Sequence, residues 1–393
     1  MSMRTTCPSC DSAGMSVFYK VENVPAHDVL LMPTREVALS CPRGDIGLGF
    51  CPSCGFISNV LFDPSLHEYS PGYEATQAFS PTFSAFAQRL ASDLVTRYDL
   101  NGKDIIEIGC GNGEFLTLLC ELGGNRGIGF DPAYVEGRVD SKAKEPVTFI
   151  KDYFSEEYAH YQGDFVCCRM TLEHIPDTAD FVYMVRRSIG DCPDTIVFFQ
   201  VPDVVRILRE LAFWDIYYEH CSYFSLGSLG RLFRRCGFDV VDLRKAYGDQ
   251  YLMIEARPGI GETAPPLAQE DDLEQLAGYV KHCSENHKRK LNTWKHYLQE
   301  IQRTGRRAVL WGGGSKAVAF LTTLNLQDEI ECVVDINPHK QGTYLAGAGQ
   351  DIVAPDFLRQ YEPDVVIVMN PIYREEIEHD LHQMGLAPEL ITV

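Results

Sequence analysis

Three glycines at alternate positions follow an apolar segment and form the part of the chain best suited to bind a ligand. Residues 105–108 are apolar except for Glu107 and predict a buried strand, and Gly109, Gly111 and Gly113 come directly after it. Glycine lets the backbone turn sharply and approach a ligand without a Cβ in the way. The spacing is G-x-G-x-G, which differs from the G-x-G-x-x-G of dinucleotide-binding turns. A glycine-rich turn in an unrelated α/β protein is the alternative interpretation.

A second strand supports the ligand-binding interpretation. Residues 126–130 are followed by Asp131, and a carboxylate at this place in such a fold can accept hydrogen bonds from both hydroxyls of a ribose. Together the glycine turn and Asp131 resemble the first two motifs of class I S-adenosylmethionine (SAM) methyltransferases. The resemblance implies that Glu107, the three glycines and Asp131 bind SAM.

Four cysteines predict a structural metal site near the N-terminus. Cys7 and Cys10 belong to one Cys-Pro-Ser-Cys segment, and Cys51 and Cys54 belong to an identical one. Two such turns supply the four soft ligands of a tetrahedral zinc ribbon, and four cysteine ligands leave no open coordination position for a substrate. We therefore expect Zn²⁺ to stabilise the fold. Redox activity is the alternative for either Cys-x-x-Cys pair alone, and the duplication argues against it.

Composition restricts the partners. The chain has 393 residues, 45% of them hydrophobic, and a formal net charge of −20. This charge repels phosphates, which argues against nucleic acid and acidic membrane surfaces as general partners. No apolar run approaches the roughly twenty residues that cross a bilayer, and the N-terminus lacks a signal-peptide core. The 14 cysteines are spread along a long chain and fit reduced thiols, so we expect a cytoplasmic protein with a small-molecule substrate.

Alternating strand and helix patterns predict an α/β fold with several domains. We expect a zinc-binding domain over residues 1–70 that contains the four-cysteine zinc ribbon, and a class I SAM-methyltransferase domain with a Rossmann-like doubly wound sheet over 71–260. A connecting helix is expected over 261–305, and a second, C-terminal Rossmann-like α/β domain over 306–393. Ligands of doubly wound sheets bind at the carboxyl ends of the strands.

The C-terminal domain repeats the glycine-turn pattern in a weaker form. A predicted strand over 308–311 precedes three glycines at 312–314, and Asp335 ends a later strand. The pattern fits a nucleotide or anion site and, equally, a turn that only shapes the fold. Lys316 and Lys340 are the local cations that an anionic substrate would meet there.

The complete layout resembles the sugar C-methyltransferase family, which builds branched deoxysugars of antibiotics. The resemblance implies that Tyr217, Glu219 and His220 form a Tyr-x-Glu-His element over the reacting sugar, and that Tyr73 joins the substrate pocket. An imidazole near neutral pH suits removal of a proton next to a ketone, so His220 is the expected base. Glu219 would orient this imidazole or a sugar hydroxyl, and Tyr217 would donate a hydrogen bond to the enolate oxygen.

The same resemblance implies further cofactor contacts and leaves alternatives open. Asp152 is expected near the adenine, and Arg169 begins a loop beside the methionine end of SAM. His174 in that loop is either a base or a structural partner of the cofactor loop. His220 has the alternative of an ordinary polar loop residue.

One segment departs from the family pattern. Residues 246–251 read Ala-Tyr-Gly-Asp-Gln-Tyr where the family usually has a His-Gly-Gly element. The departure leaves the acceptor open, and Tyr247, Asp249 or Gln250 could contact a different one. A plain loop before a strand is the alternative for these residues.

The sequence thus predicts a SAM-dependent methyltransferase that methylates a carbon of a nucleotide-linked ketosugar through an enolate. Methyl transfer to an oxygen or nitrogen of another small metabolite is the first alternative. A non-catalytic SAM- or nucleotide-binding assembly protein is the second. An NAD-linked oxidoreductase is the third, against which the chain lacks a clean G-x-G-x-x-G.

Overall fold

The computed structural model describes residues 4–67, 70, 72–260, 264–326 and 329–393. The predicted boundary between the methyltransferase domain and the connecting helix adjoins 261–263, which lie outside the described residues. The strands are β1 Ser16–Pro25, β2 Arg43–Phe50, β3 Ile57–Asn59, β4 Asp104–Ile108, β5 Arg126–Phe130, β6 Val147–Ile150, β7 Phe165–Arg169, β8 Ile196–Pro202, β9 Ser222–Tyr223, β10 Phe238–Ala246, β11 Tyr251–Pro258, β12 Ala308–Trp311, β13 Cys332–Val334, β14 Asp351–Val353, β15 Val365–Val368 and β16 Glu389–Thr392.

The helices cover the faces of the sheets. Among those built from described residues, none combines the length and the hydropathy that a bilayer span requires. The helices are α1 Arg35–Leu39, α2 Pro81–Arg97, α3 Glu114–Gly123, α4 Thr178–Ile189, α5 Val204–Glu210, α6 Leu226–Arg235, α7 Leu273–Arg303, α8 Ser315–Leu324, α9 Leu358–Tyr361 and α10 Arg374–Gln383.

The central sheet has the strand order β10-β11-β8-β7-β4-β5-β6. Strands β8, β7, β4, β5 and β6 run parallel, whereas β11 is antiparallel to both of its neighbours. The side chains of β4 and β8 are buried, as expected for strands that helices cover on both faces. The carboxyl ends of β4, β5, β7 and β8 meet at one edge, where the predicted ligand-binding loops lie together. The predicted α/β fold with a mostly parallel central sheet is confirmed.

The N-terminal sheet includes a strand from the middle of the chain. Its order is β1-β2-β3-β9, and the pairs are antiparallel. In the last pair Ile57 lies opposite Tyr223, and Ser58 lies opposite Ser222. The short strand β9 begins two residues after His220, so the N-terminal sheet anchors the loop that carries this histidine.

The C-terminal sheet is entirely parallel, in the order β14-β13-β12-β15-β16. Helix α7 precedes it and packs through buried Trp294, Leu298 and Ile301. The Trp294 ring lies 5.1 Å from that of Phe320 in α8 and 6.3 Å from that of Trp214 in the central domain. The apolar side of α7 therefore joins the central and C-terminal parts of the protein, although the four predicted domain ranges themselves stay predictions.

Candidate active site

A single cavity of about 810 Å³ extends from the carboxyl edge of the central sheet to the C-terminal sheet. It reaches the glycine turn after β4, the loop before β9 and the glycine turn after β12. The predicted catalytic and cofactor-binding residues on its wall are Tyr73, Glu107, Gly109, Gly111, Asp131, Asp152, Arg169, Tyr217, Glu219 and His220.

The glycine turn after β4 needs glycine for three different reasons. Gly109, Gly111 and Gly113 all have positive φ, at 69°, 56° and 87°. A Cβ on Gly109 would lie 2.0 Å from the Thr171 hydroxyl oxygen, and one on Gly113 would lie 2.2 Å from the ring of Phe149. Around Gly111 no atom of the residues that the structure describes lies within 4 Å of such a Cβ, so this part of the turn faces open space. Gly109 and Gly113 thus permit close packing, and Gly111 leaves room for a ligand.

Asp131 closes the turn from the neighbouring strand. Its Oδ2 accepts a hydrogen bond from Gly111 N at 2.8 Å, and its Oδ1 accepts one from Ala133 N at 2.8 Å. Burial raises the pKa of Asp131 despite these two donors. Each oxygen keeps a further lone pair toward the cavity, which suits a pair of ligand hydroxyls.

Glu107 is a buried carboxyl on the same wall. It is 2% exposed, and its Oε2 has no hydrogen-bond partner among the residues that the structure describes. Burial raises the pKa of Glu107 to about 8, although the Arg169 guanidinium opposes this rise. Arg169 lies over the Phe115 ring at 3.8 Å and donates from Nε to Gln200 Oε1 at 3.2 Å. An unpartnered buried carboxyl beside an open turn suits a cationic group of a ligand.

Asp152 lies two residues after β6, where the cavity meets solvent. It is exposed, and its carboxylate accepts hydrogen bonds from Tyr153 N at 2.7 Å and from the Tyr158 hydroxyl at 2.6 Å. Asp152 is therefore held in place at the cavity mouth.

Glu219 faces Tyr73 and the N-terminal segment. Its Oε2 accepts a hydrogen bond from the Tyr73 hydroxyl at 2.7 Å, and its Oε1 accepts one from Asp28 N at 2.7 Å and lies 3.6 Å from His67 Nε2. Burial acts to raise the pKa of Glu219, but His67 and the other donors hold it below its usual range. The sequence predicted that Glu219 orients the His220 imidazole or a sugar hydroxyl. The contacts described here hold the Tyr73 hydroxyl and do not orient the imidazole.

His220 is buried beside His174 and Tyr217. Its ring centroid lies 4.9 Å from that of His174 and 4.2 Å from that of Tyr217. Burial, His174 and the Lys316 ammonium lower the pKa of His220 well below its usual range, and burial lowers the pKa of His174 to about 4. Both imidazoles are therefore neutral at pH 7, and each keeps an unprotonated ring nitrogen. The lowered pKa makes His220 a weaker base than the near-neutral imidazole expected from the sequence.

The C-terminal sheet supplies the far wall of the cavity. The turn after β12 contains Gly312, with φ of 114°, and Gly313, whose N–H donates to Asp335 Oδ2 at 2.8 Å. Lys340 Nζ donates to Gly313 O at 3.2 Å and lies 3.7 Å from Asp335 Oδ2. Gly312, Asp335 and Lys340 line the cavity with Ser315 at the start of α8.

An ion cluster joins this wall to the central domain. The Asp215 carboxylate accepts from Lys316 of α8 and from Arg206 of α5. All three side chains line the cavity. Arg206 also bonds to Glu210 at 3.1 Å, so the cluster pairs two cations with two anions beside the loop that carries His220.

The segment that departs from the family pattern forms the turn between β10 and β11. Tyr247 is packed against Phe86, with ring centroids 4.6 Å apart, and donates to the Tyr373 hydroxyl at 2.8 Å. Gln250 lines the cavity and donates to Asn370 Oδ1 at 2.9 Å. Of the three residues singled out from sequence, Gln250 reaches the cavity wall, whereas Tyr247 and Asp249 are not among its lining residues.

The four predicted metal ligands converge. Cys7 Sγ lies 3.7 Å from Cys54 Sγ, Cys10 Sγ lies 3.6 Å from Cys51 Sγ, and all four sulfur atoms lie within 4.8 Å of one another. Tetrahedral coordination with bonds of about 2.3 Å places sulfur atoms roughly 3.8 Å apart. Each Cys-Pro-Ser-Cys segment forms a tight turn closed by one backbone hydrogen bond. Asp11 N donates to Cys7 O in the first turn, and Gly55 N donates to Cys51 O in the second.

The sequence reasoning missed three polar groups near the cavity. Asp28 and His67 surround Glu219, and Glu173 lies next to His174. Burial and the Glu219 charge raise the pKa of Asp28 well above its usual range. Asp28 and His67 come from distant parts of the chain, so no local spacing indicates them. The sequence did offer an indication of Glu173, because this carboxyl lies inside the loop already assigned to the methionine end of SAM.

Two family models match the chain. A methyltransferase domain matches residues 83–243, and a C-methyltransferase C-terminal domain matches residues 263–387. The chain is similar to the C-methyltransferase NovU of Streptomyces niveus, with 28% identity over 309 residues that cover 74% of this chain and 72% of NovU.

Solved methyltransferase structures match parts of the chain. The N,N-8-amino-8-demethyl-D-riboflavin dimethyltransferase RosA of Streptomyces davawensis has 21% identity and a TM-score of 0.37, over 45% of this chain and 56% of RosA. The magnesium protoporphyrin IX methyltransferase ChlM of Synechocystis PCC 6803, with bound S-adenosylhomocysteine, has 14% identity and a TM-score of 0.35, over 45% of this chain and 84% of ChlM.

Proposed function

We propose that this chain is a SAM-dependent C-methyltransferase, which its matches to two family models and to NovU support, and that its acceptor is a nucleotide-linked ketosugar, methylated through an enolate. One observation carries the proposal: a single cavity connects the central glycine turn, the buried His220 and the C-terminal glycine turn. The acceptor must lie between a methyl donor and a base, and its nucleotide needs a separate surface. The cavity supplies three such regions in this order.

The residues present fit SAM. Gly111 leaves open space at the turn, and the paired oxygens of Asp131 suit the ribose hydroxyls. Glu107 offers an unpartnered buried oxygen for the α-ammonium group of the cofactor. Asp152 at the cavity mouth is the candidate contact for the adenine. When bound, SAM supplies a methyl group on a positively charged sulfonium.

His220 is the base in the proposed mechanism. Its neutral imidazole removes a proton from the carbon next to the ketone, and the C–H electron pair forms the enolate, with negative charge on the ketone oxygen. Tyr217, whose pKa burial raises well above its usual range, keeps its proton and donates a hydrogen bond to that oxygen. The enolate carbon would take the methyl group as the sulfonium S–CH₃ bond breaks, with the electron pair of that bond staying on the departing thioether sulfur. The ketone forms again, and His220 passes its proton to solvent. Glu219 positions the Tyr73 hydroxyl against the same substrate.

The far wall suits the nucleotide part of the acceptor. It combines a glycine turn at the start of α8 with Lys316, Lys340 and Arg206, in a chain of net charge −20. Backbone N–H groups at a helix start and nearby cations are favourable for phosphate oxygens. The lysine and arginine side chains are held by Asp335 and Asp215, so the wall is preorganised.

The four cysteines hold a structural Zn²⁺ in this proposal. The sulfur spacing of 3.6–3.7 Å within the two close pairs fits tetrahedral coordination. Arg231 and Arg235 of α6 donate to the carbonyls of Cys54 and Cys10 at 3.0 Å. The metal would therefore stabilise both the N-terminal sheet and its contact with the methyltransferase domain.

Methyl transfer can be tested with SAM that carries a ¹³C-labelled methyl group. The protein is incubated with a panel of nucleotide-linked 4-keto deoxysugars, and the product is examined by NMR and mass spectrometry. The proposal predicts a new carbon-bound methyl group next to the ketone. A labelled methyl on oxygen or nitrogen, or no product with any member of the panel from protein that binds SAM, would contradict it.

An O- or N-methyl acceptor is the second candidate function. The observation that favours it is the turn between β10 and β11, where Gln250 rather than a histidine lines the cavity. The Gln250→His variant tests this point. If the acceptor is a ketosugar and the enzyme only tolerates glutamine at this position, the variant should methylate the same acceptors as the wild type.

A further inference from the structure

Glu173 is a buried carboxyl of the active-site cavity that the mechanism above does not use. It lies in the short 3-10 turn Leu172–His174, which two residues separate from the end of β7. The side chain is 1% exposed and belongs to the cavity wall. Neither Oε1 nor Oε2 has a hydrogen-bond partner among the described residues. A carboxyl buried in this way is costly, so its persistence in a ligand cavity points to a partner that the substrate brings.

The backbone holds Glu173 beside the base. Cys221 N donates to Glu173 O at 2.9 Å, which ties the turn to the loop that ends in His220. One side-chain oxygen or nitrogen each of Glu173, His174 and His220 lies within 4.8 Å of the others. A substrate atom next to His220 is therefore within a few ångströms of Glu173.

The surroundings of Glu173 keep it neutral. The titratable groups that face it are His174 on its own turn, Tyr217 and His220 from the loop before β9, Cys168 from β7 and Tyr251 from β11. Each of these is uncharged at pH 7, since burial raises the pKa of the cysteine and the tyrosines and lowers that of the histidines.

Glu173 is protonated at neutral pH in this environment. Burial raises the pKa of Glu173 to about 8, so at pH 7 the group is a carboxylic acid with one O–H donor. An acid kept neutral by an apolar site is an established way to donate a hydrogen bond to an enolate oxygen.

We propose that Glu173 is a further catalytic residue, a carboxylic acid that donates a hydrogen bond to the ketone oxygen of the acceptor while His220 removes the neighbouring proton. The inference rests on the proposed enolate chemistry. As the C–H bond breaks, its proton goes to His220 and its electron pair moves into the enolate, so negative charge grows on the oxygen that Glu173 contacts. In methyl transfer the enolate electron pair forms the new C–CH₃ bond, the sulfonium would be neutralised as its S–CH₃ bond breaks, and the neutral ketone forms again. The Glu173 proton stays on the carboxyl throughout.

Infrared spectroscopy tests the protonation state without any substrate. The difference spectrum between the full-length wild-type protein and Glu173→Gln should contain the C=O band of one protonated carboxyl at pH 6.5, and this band should disappear with a midpoint near pH 8. Glu157→Gln, at an exposed carboxyl outside the cavity, is the matched control and should remove no such band. A difference spectrum between the wild type and Glu173→Gln that lacks this band at pH 6.5 would overturn the inference.

Kinetics test the role in the reaction, at saturating SAM and with a ketosugar that the wild-type enzyme methylates. Glu173→Leu should lower kcat by about 10²–10³-fold, as for other single oxyanion donors, without a change in SAM affinity. Glu173→Gln keeps an N–H donor, so it should lose less activity and should lose the fall in rate above about pH 8 that the wild type shows. Unchanged kcat in Glu173→Leu, or the same alkaline fall in Glu173→Gln, would overturn the inference.

The two proposals fail in different ways. If the wild type methylates no ketosugar, the proposed function fails, and the infrared band still decides whether Glu173 is a neutral acid. If the wild type is active but Glu173→Leu is equally active, the inference fails alone. A second bound metal ion per chain that Glu173→Leu removes would also overturn it, because Glu173, His174 and His220 would then be ligands.

Discussion

Glu107→Gln should abolish a proton release that accompanies SAM binding. Burial raises the pKa of Glu107 to about 8, so about nine-tenths of the molecules carry a proton there at pH 7 in the ligand-free protein. Binding of a cationic ligand group favours the carboxylate, because Oε2 then gains the partner that it lacks. Wild-type protein should therefore release about 0.9 proton per SAM at pH 7.

Calorimetry in buffers of different ionisation enthalpy measures this release. The observed binding enthalpy of the wild type should change with buffer by an amount equivalent to about 0.9 proton, and that of Glu107→Gln should not. Glu157→Gln, at an exposed carboxyl, should behave as the wild type. Wild-type binding without proton release, or equal release in Glu107→Gln, would refute the reasoning.

The same carboxyl should affect stability with a defined sign. Since the pKa of Glu107 is about 8 in the folded protein and near 4.5 in the unfolded chain, its contribution to stability is lost as pH rises through this window. At about 1.4 kcal/mol per pH unit, the loss between pH 4.5 and 7 is about 3 kcal/mol. In urea unfolding, the advantage of Glu107→Gln over the wild type should therefore grow by about this amount from pH 4.5 to 7. An advantage that does not change with pH would show that Glu107 is ionised in the folded protein.

The remaining predictions concern the base, the ribose contact and the metal site. His220→Ala should bind SAM normally and lower the methylation rate by about 10²–10⁴-fold; a near-normal rate would assign the base to another group. Asp131→Ala should weaken SAM binding by about 1.5–3 kcal/mol, measured by calorimetry, and unchanged affinity would exclude the ribose contact. Metal analysis should find one zinc per chain, lost in Cys51→Ser and kept in the control Cys192→Ser, which changes an exposed cysteine. Equal zinc in both variants would place the metal elsewhere.

Local patterns explain which parts of the molecule could be predicted. The apolar strand β4 and the glycine turn after it are encoded within ten residues, so the cofactor end follows from sequence. The cysteine site is encoded by two identical short segments, and each segment folds into the same tight turn. The convergence of the two segments was expected because four ligands satisfy one tetrahedral ion.

Long-range contacts explain what could not be predicted. The contacts of Glu219 with Asp28 and His67 could not be predicted, because these residues lie about 150 to 190 positions away in the chain. The pairing of β9 with β3 joins two short strands with no periodicity of their own. Glu173 reads as one polar residue in a loop, and only the complete cavity reveals that neither oxygen has a partner among the described residues.

The central claim is that the enzyme forms an enolate next to a ketone, and hydrogen exchange at that carbon tests it most directly. A nucleotide-linked 4-keto deoxysugar is incubated in D₂O with the wild type and with His220→Ala, and deuterium next to the ketone is followed by mass spectrometry. The account predicts deuterium incorporation by the wild type that His220→Ala slows by about 10²–10⁴-fold. Methyl transfer to the sugar without any exchange, or exchange that is equally fast in His220→Ala, would contradict it.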